Sequence, residues 1–152
     1  MAQPFILKPL THVINLSLRT GIFPSVWKFY KVVAVYKNKG EKSCGENYRP
    51  VALLSVVSKI LERVVYDQLV EYFTEIGLLH PNHHGFRKHH STSTAIIQMH
   101  DIWVRAAEEG KLAGALMLDI RAGFDMVSHE TLLDKLAVYG LNDTAVSWMK
   151  SY

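Results

Sequence analysis

Residues 113–129 read Ala113-Gly-Ala-Leu-Met-Leu-Asp-Ile-Arg-Ala-Gly-Phe-Asp-Met-Val-Ser-His129, and the rest of the chain can be interpreted outward from them. The first part is an apolar run long enough for a buried strand, and it ends on the carboxylate of Asp119. An unpaired charge inside a sheet is costly. We therefore expect Asp119 to be paired, to face water at a sheet edge, or to hold a cation at the carboxyl end of the strand, which functional sites favour.

The composition indicates one globular domain or a piece of a larger one. The chain has 152 residues, 49% of them hydrophobic, which is enough for a core. A net charge of +3 is compatible with a polyanionic partner. The single Cys44 excludes an intramolecular disulfide and a cysteine-based zinc finger. No signal peptide is visible and no apolar run approaches the roughly 20 residues of a membrane span, so we expect an intracellular protein, cytoplasmic or nuclear.

Hydrophobic periodicity and capping residues predict an α/β (α+β) fold in which short sheets are packed by helices. Helices are expected over 5–19, 55–77, 91–109, 130–139 and 143–152, with strands at 31–37 and 48–54. Ser55 is the expected N-cap of the longest helix and Gly77 its C′ residue. The apolar positions expected on the packed faces of the first three helices are Phe5, Ile6, Leu10, Val13, Ile14 and Leu18, then Val56, Ile60, Val64, Leu69 and Phe73, then Ala95, Ile97, Met99, Ile102, Trp103 and Ala106.

The two strands would bring four cations to one end of a hairpin. Lys37, Lys39, Lys42 and Arg49 lie in or beside the polar loop that joins the strands. Two interpretations stay open at this point. The hairpin is either a charged unit whose side chains are solvated, or a clamp for the phosphates of an anionic ligand.

A histidine-rich loop follows the longest helix. Five histidines lie within eleven residues: His80, His83, His84, His89 and His90. We do not expect zinc there, because the spacing matches no usual pattern and no cysteine or acid lies nearby to complete four ligands. Gly85-Phe-Arg-Lys88, in the same loop, combines an aromatic ring with two cations. This group could stack on a base and hold its phosphate, with a buried Phe beside solvated cations as the alternative.

Other kinds of active site are disfavoured by the residue pattern. Asp119 and Asp125 are not accompanied by a sugar cleft of the kind that a glycosidase needs. The serines stand at helix starts rather than on a nucleophile elbow, and no glycine-rich phosphate loop is present. Residue types alone therefore indicate a basic α/β domain with one metal-competent carboxylate.

Four stretches, in order, resemble the reverse transcriptase of non-LTR (LINE-type) retrotransposons. They are Leu10–Lys28, Asn47–Ser55 with Lys59–Arg63, Gly85–Lys88 with Ser91 and Thr92, and Leu118–His129. The resemblance covers nearly the whole chain. It implies an N-terminal extension and fingers subdomain over 1–110, and the start of a palm over 111–152.

The resemblance also implies roles for individual residues. Asp119 would be the catalytic acid that binds Mg²⁺, with Mn²⁺ as a substitute, in two-metal nucleotidyl transfer. Around it, Ile120 and Arg121 would line the incoming triphosphate, and Phe124 would exclude a 2′-hydroxyl and so select dNTPs. For Phe124 the alternative is a core position beneath the strand. Asp125 would stabilise the turn or the palm rather than bind metal.

Further cations follow from the same resemblance. Lys37 and Arg49 match the fingers cations that hold the triphosphate, and Arg87, beside Lys88, matches a residue near template and nucleotide. The implied partners are an RNA template, a DNA primer and dNTPs, with no membrane partner. The oligomeric state is left open.

The Tyr/Phe-x-Asp-Asp hairpin that carries the family's other metal-binding acids does not occur in the sequence, and we expect no thumb within these 152 residues. We therefore expect a fingers-palm fragment truncated before that hairpin, inactive in primer extension by itself. The alternatives are a non-catalytic nucleic-acid-binding remnant and a decayed element copy. A broad melt would favour the decayed copy, whereas primer extension abolished by Asp119→Ala would overturn the expected inactivity.

Overall fold

The computed structural model of the chain describes residues 3–120 and 123–152, which combine helices with one small antiparallel sheet. The helices are α1 (Gln3–Thr20), α2 (Val56–Glu75), α3 (Thr92–Glu108), α4 (His129–Val138) and α5 (Asp143–Ser151). The strands are β1 (Lys31–Tyr36) and β2 (Tyr48–Leu53), and short 3-10 helices span Ser25–Lys28 and Gly45–Asn47. This mixture confirms the predicted fold class at the level of helices with a short sheet. None of the helices in the described ranges is both long and apolar enough to cross a membrane.

Local hydrogen bonds set the helix ends where the capping residues predicted them. Ser55 Oγ accepts from the backbone N–H of Ser58 at 3.1 Å, which starts α2. At the other end Gly77 has φ +66, and the N–H of Leu78 donates to Phe73 O at 2.9 Å, as in a Schellman motif. The expected helix from Ser55 to Gly77 is thereby confirmed.

The chain divides into two compact units. One comprises the described residues up to Val65 together with Phe124–Tyr152, and the other comprises Tyr66–Gly123. The first holds the main core, in which Ile14, Phe23, Leu61 and Trp148 are buried. The Phe23 and Trp148 rings pack nearly perpendicular, with centroids 5.5 Å apart, so the turn after α1 is fastened to α5.

Several predicted core positions are wrong. Val56 is 73% exposed and Ile60 is also exposed, whereas Leu61 is fully buried. The buried residues of α2 are Ser58 and Leu61, and the half-buried Val64, as predicted, and Val65 pack against the core. The face that meets the core residues of α1 and α5 is therefore rotated from the one predicted. In α1 the expected positions Phe5, Ile6 and Val13 are exposed as well.

The predicted packing face of α3 is wrong in part, since Ala95, Met99 and Ala106 are half-buried but the other predicted positions are not. The helix has no buried residue, and Ile97, Ile102 and Trp103 are exposed because no described element covers that stripe. A helical period identifies an apolar face, but packing partners decide whether it is buried.

The expected buried strand before Asp119 is wrong for the described residues. Residues 111–120 have no regular secondary structure, and the side chains of Leu116, Met117 and Leu118 are exposed. The physical reason is that a strand needs a neighbour to satisfy its backbone N–H and C=O groups. In the described ranges β1 and β2 pair with each other, and no strand pairs with this run.

Candidate functional site

The β1–β2 hairpin places two of the predicted ligand-binding cations on one face. Val35 pairs with Arg49 in the antiparallel register, so these residues share a face. Lys37 lies two residues beyond Val35 and therefore on the same face, where its backbone N–H donates to Asn47 O at 2.7 Å. Diagonal neighbours of this kind have side chains separated by about 7 Å at their base. The ends of both side chains can thus reach one polyanion.

The loop at the tip of the hairpin is held by its own side chains. Lys37 Nζ donates to Glu46 O at 2.6 Å, Tyr48 Oη donates to Lys42 O at 2.9 Å, and Tyr36 Oη donates to Gly40 O. The Tyr36 and Tyr48 rings contact each other across the strands, with centroids 5.4 Å apart. The loop is therefore a fixed turn, and the exposed cations around it are presented from a rigid base.

Positive charge dominates this end of the hairpin. Lys37, Lys39, Lys42 and Arg49 are all exposed there. Two carboxylates, Glu41 and Glu46, lie in the loop, so the cations outnumber them. The side chain of Arg49 makes no hydrogen bond or ion pair with another described residue, and its guanidinium keeps all five donors for a ligand. An ammonium has three donors, so Lys37 keeps two after its bond to Glu46.

The loop after α2 presents an aromatic ring and a cation to solvent. Phe86 is 86% exposed and Lys88 is exposed, so a buried Phe is excluded at this position. Phe86 adopts φ +54, a region that non-glycine residues rarely occupy, and its carbonyl accepts from Tyr66 Oη at 2.8 Å. Arg87 is half-buried and donates from Nη1 to His80 O at 3.2 Å. Phe86 and Lys88 are thus available to a ligand, whereas Arg87 partly supports the loop.

The histidines of this loop include a structural one. His84 Nδ1 lies 2.9 Å from Thr94 Oγ1, and His84 Nε2 lies 2.6 Å from Gln98 Oε1. Gln98 in turn donates from Nε2 to Asn82 Oδ1 at 2.9 Å. This network ties the loop to α3. The sequence pattern did not predict it, since the α3 partners lie ten or more residues from His84.

The predicted catalytic stretch is exposed. Asp119 and Ile120 point into solvent in an irregular segment, and Phe124 is 85% exposed in a turn, which overturns the core alternative for Phe124. Arg121 lies outside the described residues. Asp125 is exposed and makes no hydrogen bond or ion pair with a described residue, so a stabilising role for its side chain in the turn has no support there.

A divalent cation would need more ligands than these residues bring together. Within residues 3–120 and 123–152 no three His, Cys, Asp or Glu side chains are grouped so that they could hold a metal ion. Asp119 is one carboxylate, and a divalent ion of the magnesium type requires several oxygen ligands in octahedral geometry. The described residues by themselves do not fit a two-metal centre.

Residues that shape the hairpin were missed by the sequence analysis. Tyr36, Tyr48 and Asn47 fix the loop through the contacts above and through the bond from Asn47 Nδ2 to Glu41 O at 2.7 Å. The available signal was a tyrosine at each end of the polar loop, at positions that pair when the strands are placed in register.

Comparisons with known proteins identify the family. A family profile described as "Reverse transcriptase (RNA-dependent DNA polymerase)" matches residues 36–152. The "Probable RNA-directed DNA polymerase from transposon BS" of Drosophila melanogaster is 31% identical over 127 residues, which is 84% of this chain and 14% of that protein. The "RNA-directed DNA polymerase from mobile element jockey" of the same species is 30% identical over 129 residues, 85% of this chain and 14% of that protein.

A more distant relative comes from Popillia japonica. The "Retrovirus-related Pol polyprotein from type-1 retrotransposable element R2" of Popillia japonica is 25% identical over 130 residues, 86% of this chain and 18% of that protein. The chain thus spans less than a fifth of the length of these relatives, and no solved structure matches it. The matched region contains both the hairpin loop and the Asp119 stretch, and it confirms the resemblance seen in the sequence. The chain belongs to the reverse transcriptase (RNA-dependent DNA polymerase) family, of the LINE type.

Proposed function

We propose that the chain is part of the RNA-directed DNA polymerase of a retrotransposon-like element. Residues 1–110 would form the N-terminal extension and fingers, and residues 111–152 the start of the palm. The family match over 36–152 supports the assignment to such a polymerase, since it includes most of the hairpin and Asp119. The RNA template, the DNA primer and dNTPs are the partners that such an enzyme would require.

The observation that carries the proposal is the shared face of Lys37 and Arg49. Both are exposed at the end of the hairpin, and the loop beside them is held rigidly by Tyr36 and Tyr48. A triphosphate carries several negative charges within a few ångströms, and charge-assisted bonds to it are strong. Arg49 can bind two phosphate oxygens at once, and the remaining donors of Lys37 can bind a third. The hairpin therefore suits the triphosphate of an incoming nucleotide.

In this proposal Asp119 supplies one ligand of the polymerase's divalent cation, Mg²⁺ or Mn²⁺. Such a cation neutralises charge on the triphosphate during nucleotidyl transfer. Asp119, Ile120 and Phe124 are exposed and accessible to a nucleotide, and Phe124 would contact the sugar where a 2′-hydroxyl is excluded. Arg121, the neighbour of Ile120, is assigned to the triphosphate by the resemblance alone. Polymerisation would require further carboxylates in addition to Asp119.

The loop after α2 is assigned to the nucleic acid. Lys88 is exposed beside the exposed ring of Phe86, an arrangement that supports contact with a phosphate and a base. Arg87 donates one hydrogen bond to His80 O, and its guanidinium retains further donors for a template phosphate.

The triphosphate assignment is tested by measuring dNTP binding at an ionic strength of about 0.15 M, where the Debye length is about 8 Å, by equilibrium dialysis with labelled dATP. Arg49→Ala is the decisive variant, because Arg49 has no bond to a described residue whose loss would disturb the hairpin. Losing a charge-assisted bond to a phosphate should weaken binding by about tenfold or more. Lys37→Ala should weaken binding as well.

The matched control is Lys31→Ala, since Lys31 lies on the same face at the opposite end of β1. It should change the affinity by less than about twofold, as expected of a distant surface charge at this ionic strength. Equal weakening by Lys31→Ala and Arg49→Ala would show that the hairpin attracts anions through its net charge, and the triphosphate site would be rejected.

A further inference from the structure

A small cavity in the first unit lies apart from the hairpin tip. Its volume is about 180 Å³, and its lining includes Trp27, Lys28, Tyr30, Ser58, Glu62 and Tyr152. Small-molecule sites usually have volumes of roughly 300–1,000 Å³, so this cavity suits a single ring system or side-chain head. Tyr30 directly precedes β1 and Leu54 directly follows β2, so the cavity lies at the open end of the hairpin. The strand length, about 17 Å, separates it from Lys37 and Arg49.

Aromatic rings at this cavity are held in place by the core. Trp27 and Tyr152 both pack nearly perpendicular to the buried Phe23 ring, with centroids 6.3 and 5.0 Å from it. Tyr152 also stacks on Trp148, with an interplanar angle of 8°. Trp27 is half-buried, whereas Tyr30 and Tyr152 are exposed. The cavity therefore offers rings that are fixed on one side and open to a ligand on the other, which is how proteins stack single bases.

A carboxylate of fixed orientation completes the polar part of the lining. Ser58 is fully buried, and its Oγ donates to Glu62 Oε1 at 2.6 Å, one turn along α2. In the described part of the chain this is the one hydrogen bond of the Glu62 carboxylate, which leaves Oε2 as a free acceptor. Glu62 and Tyr152 line the same cavity. Partial burial of the Tyr152 phenol and the nearby Glu62 charge raise the pKa of this tyrosine above its usual 10.0.

The charges of the lining select among ligands. Lys28 also lines the cavity and is exposed, and it forms no ion pair with Glu62. A simple organic cation would be attracted by the Glu62 carboxylate but repelled by the Lys28 ammonium. A nucleotide satisfies both, since the base offers N–H donors to Glu62 and the phosphate accepts from Lys28.

The identity of the base follows from the acceptor-only character of an ionised carboxylate. Guanine presents two adjacent donors, N1–H and the N2 amine, on its Watson–Crick edge. Adenine and cytosine present one amine beside an acceptor nitrogen, which a carboxylate repels. We propose that this cavity is a second nucleotide site that binds a guanine nucleotide, with the base stacked on Trp27 and Tyr152 and bound by Glu62, and the phosphate bound by Lys28.

The test is ligand-observed saturation-transfer NMR of the 152-residue chain with guanosine 5′-monophosphate (GMP), at low salt. GMP should bind saturably, and AMP and UMP at least about tenfold more weakly, because they lack the paired donors. Glu62→Gln keeps the side-chain size and an acceptor for Ser58, and should weaken GMP by about tenfold or more. Glu71→Gln, an exposed position on the same helix, is the matched control and should bind like the unaltered chain.

A second variant, at a position outside the core, distinguishes the contribution of the phosphate to binding from that of the base. Lys28→Gln, at an exposed position, should weaken GMP but leave unphosphorylated guanosine unaffected, whereas Glu62→Gln should weaken both. Guanosine has no phosphate for the hairpin cations to bind, so its Glu62-dependent binding reports this cavity, whereas dATP binding that depends on Arg49 reports the hairpin. A failure of the triphosphate site and a failure of this site therefore give different results. A pentaribonucleotide UUGUU that binds more tightly than GMP would identify single-stranded RNA as the source of the guanine. Equal affinity would identify the free nucleotide.

Three results would overturn the proposal. They are the absence of saturable GMP binding, equal binding of GMP and UMP, and GMP affinity unchanged by both Glu62→Gln and Lys28→Gln. Binding of tetramethylammonium that depends on Glu62, without GMP binding, would reassign the cavity to an organic cation.

Discussion

At the scale of single residues, Ser17 connects three parts of the first unit. Its side chain is buried, its Oγ donates to Ile22 O at 2.6 Å, and it accepts from Trp148 Nε1 at 3.0 Å. One hydroxyl thereby satisfies a carbonyl in the turn after α1 and the indole of α5. Its removal would take this partner from the buried Trp148 indole N–H and from the part-buried Ile22 carbonyl.

We predict that Ser17→Ala lowers the free energy of unfolding by about 1–3 kcal/mol, chiefly because the Trp148 indole N–H stays buried without its partner. Urea denaturation followed by tryptophan fluorescence measures the change. Ser93→Ala, on the exposed surface of α3, is the control and should remain within about 0.5 kcal/mol. An equal effect of the two substitutions would show that the Ser17 bonds contribute nothing specific.

At the scale of elements, two helices end on glycines with the same backbone conformation but different surroundings. Gly21 and Gly77 both have φ +66, which L-residues rarely adopt. A Cβ on Gly21 would lie 2.9 Å from the backbone O of Thr144, whereas a Cβ on Gly77 would meet nothing within 4 Å. Gly21 thus serves both as a helix end and as the place where α1 approaches α5 closely.

We predict that Gly77→Ala lowers the free energy of unfolding by about 1 kcal/mol, the cost of the left-handed conformation alone. Gly21→Ala should cost about 2–4 kcal/mol, because the backbone of α5 must also move. Chemical denaturation of the two variants side by side measures the difference. Equal losses of unfolding free energy in the two variants would mean that α1 and α5 move apart without destabilising the protein.

Sequence patterns predict the ends of the helices better than they predict which helix face is buried. The end of α2 at Gly77 and the start of α3 at Ser91 were predicted because the signals are local, as in the capping box between Ser91 and Thr94. The buried face of α2 was misjudged because periodicity alone does not distinguish Ile60 from Leu61 when apolar residues surround the helix. The neighbours in α1 and α5 make that choice.

At the scale of the whole molecule, the stretch before Asp119 is the largest difference between expectation and structure. Its apolar side chains are exposed, and its backbone has no partner strand in the described ranges. The residues are suited to a sheet interior by composition, but burial requires a surface that covers them. Asp119 and Phe124 are therefore positioned by an irregular segment and a turn.

We predict that the backbone amides of residues 112–120 exchange with deuterium near the rate of an unstructured peptide. Amides of α2 between Leu61 and Val65 should be protected on the order of a thousandfold or more, because they open only with the core around Leu61. Hydrogen-exchange mass spectrometry of the 152-residue chain makes the comparison, with α5 as a second protected reference. Protection of 112–120 comparable to that of α2 would show that the run pairs as a strand after all.

The sequence by itself determined the helices, their caps, the hairpin and the family, because these depend on residues close together in the chain or on motifs read in order. Lys37 and Arg49 could be placed at one end of a hairpin from the strand pattern alone, and the register then put them on one face.

Tertiary structure alone decided which faces are buried and which distant residues meet. Trp148 donates to Ser17 across 131 positions, and Trp27, Glu62 and Tyr152 line one cavity. Such contacts arise from the packing of α1, α2 and α5 around Phe23 and Leu61, and no local pattern encodes that packing.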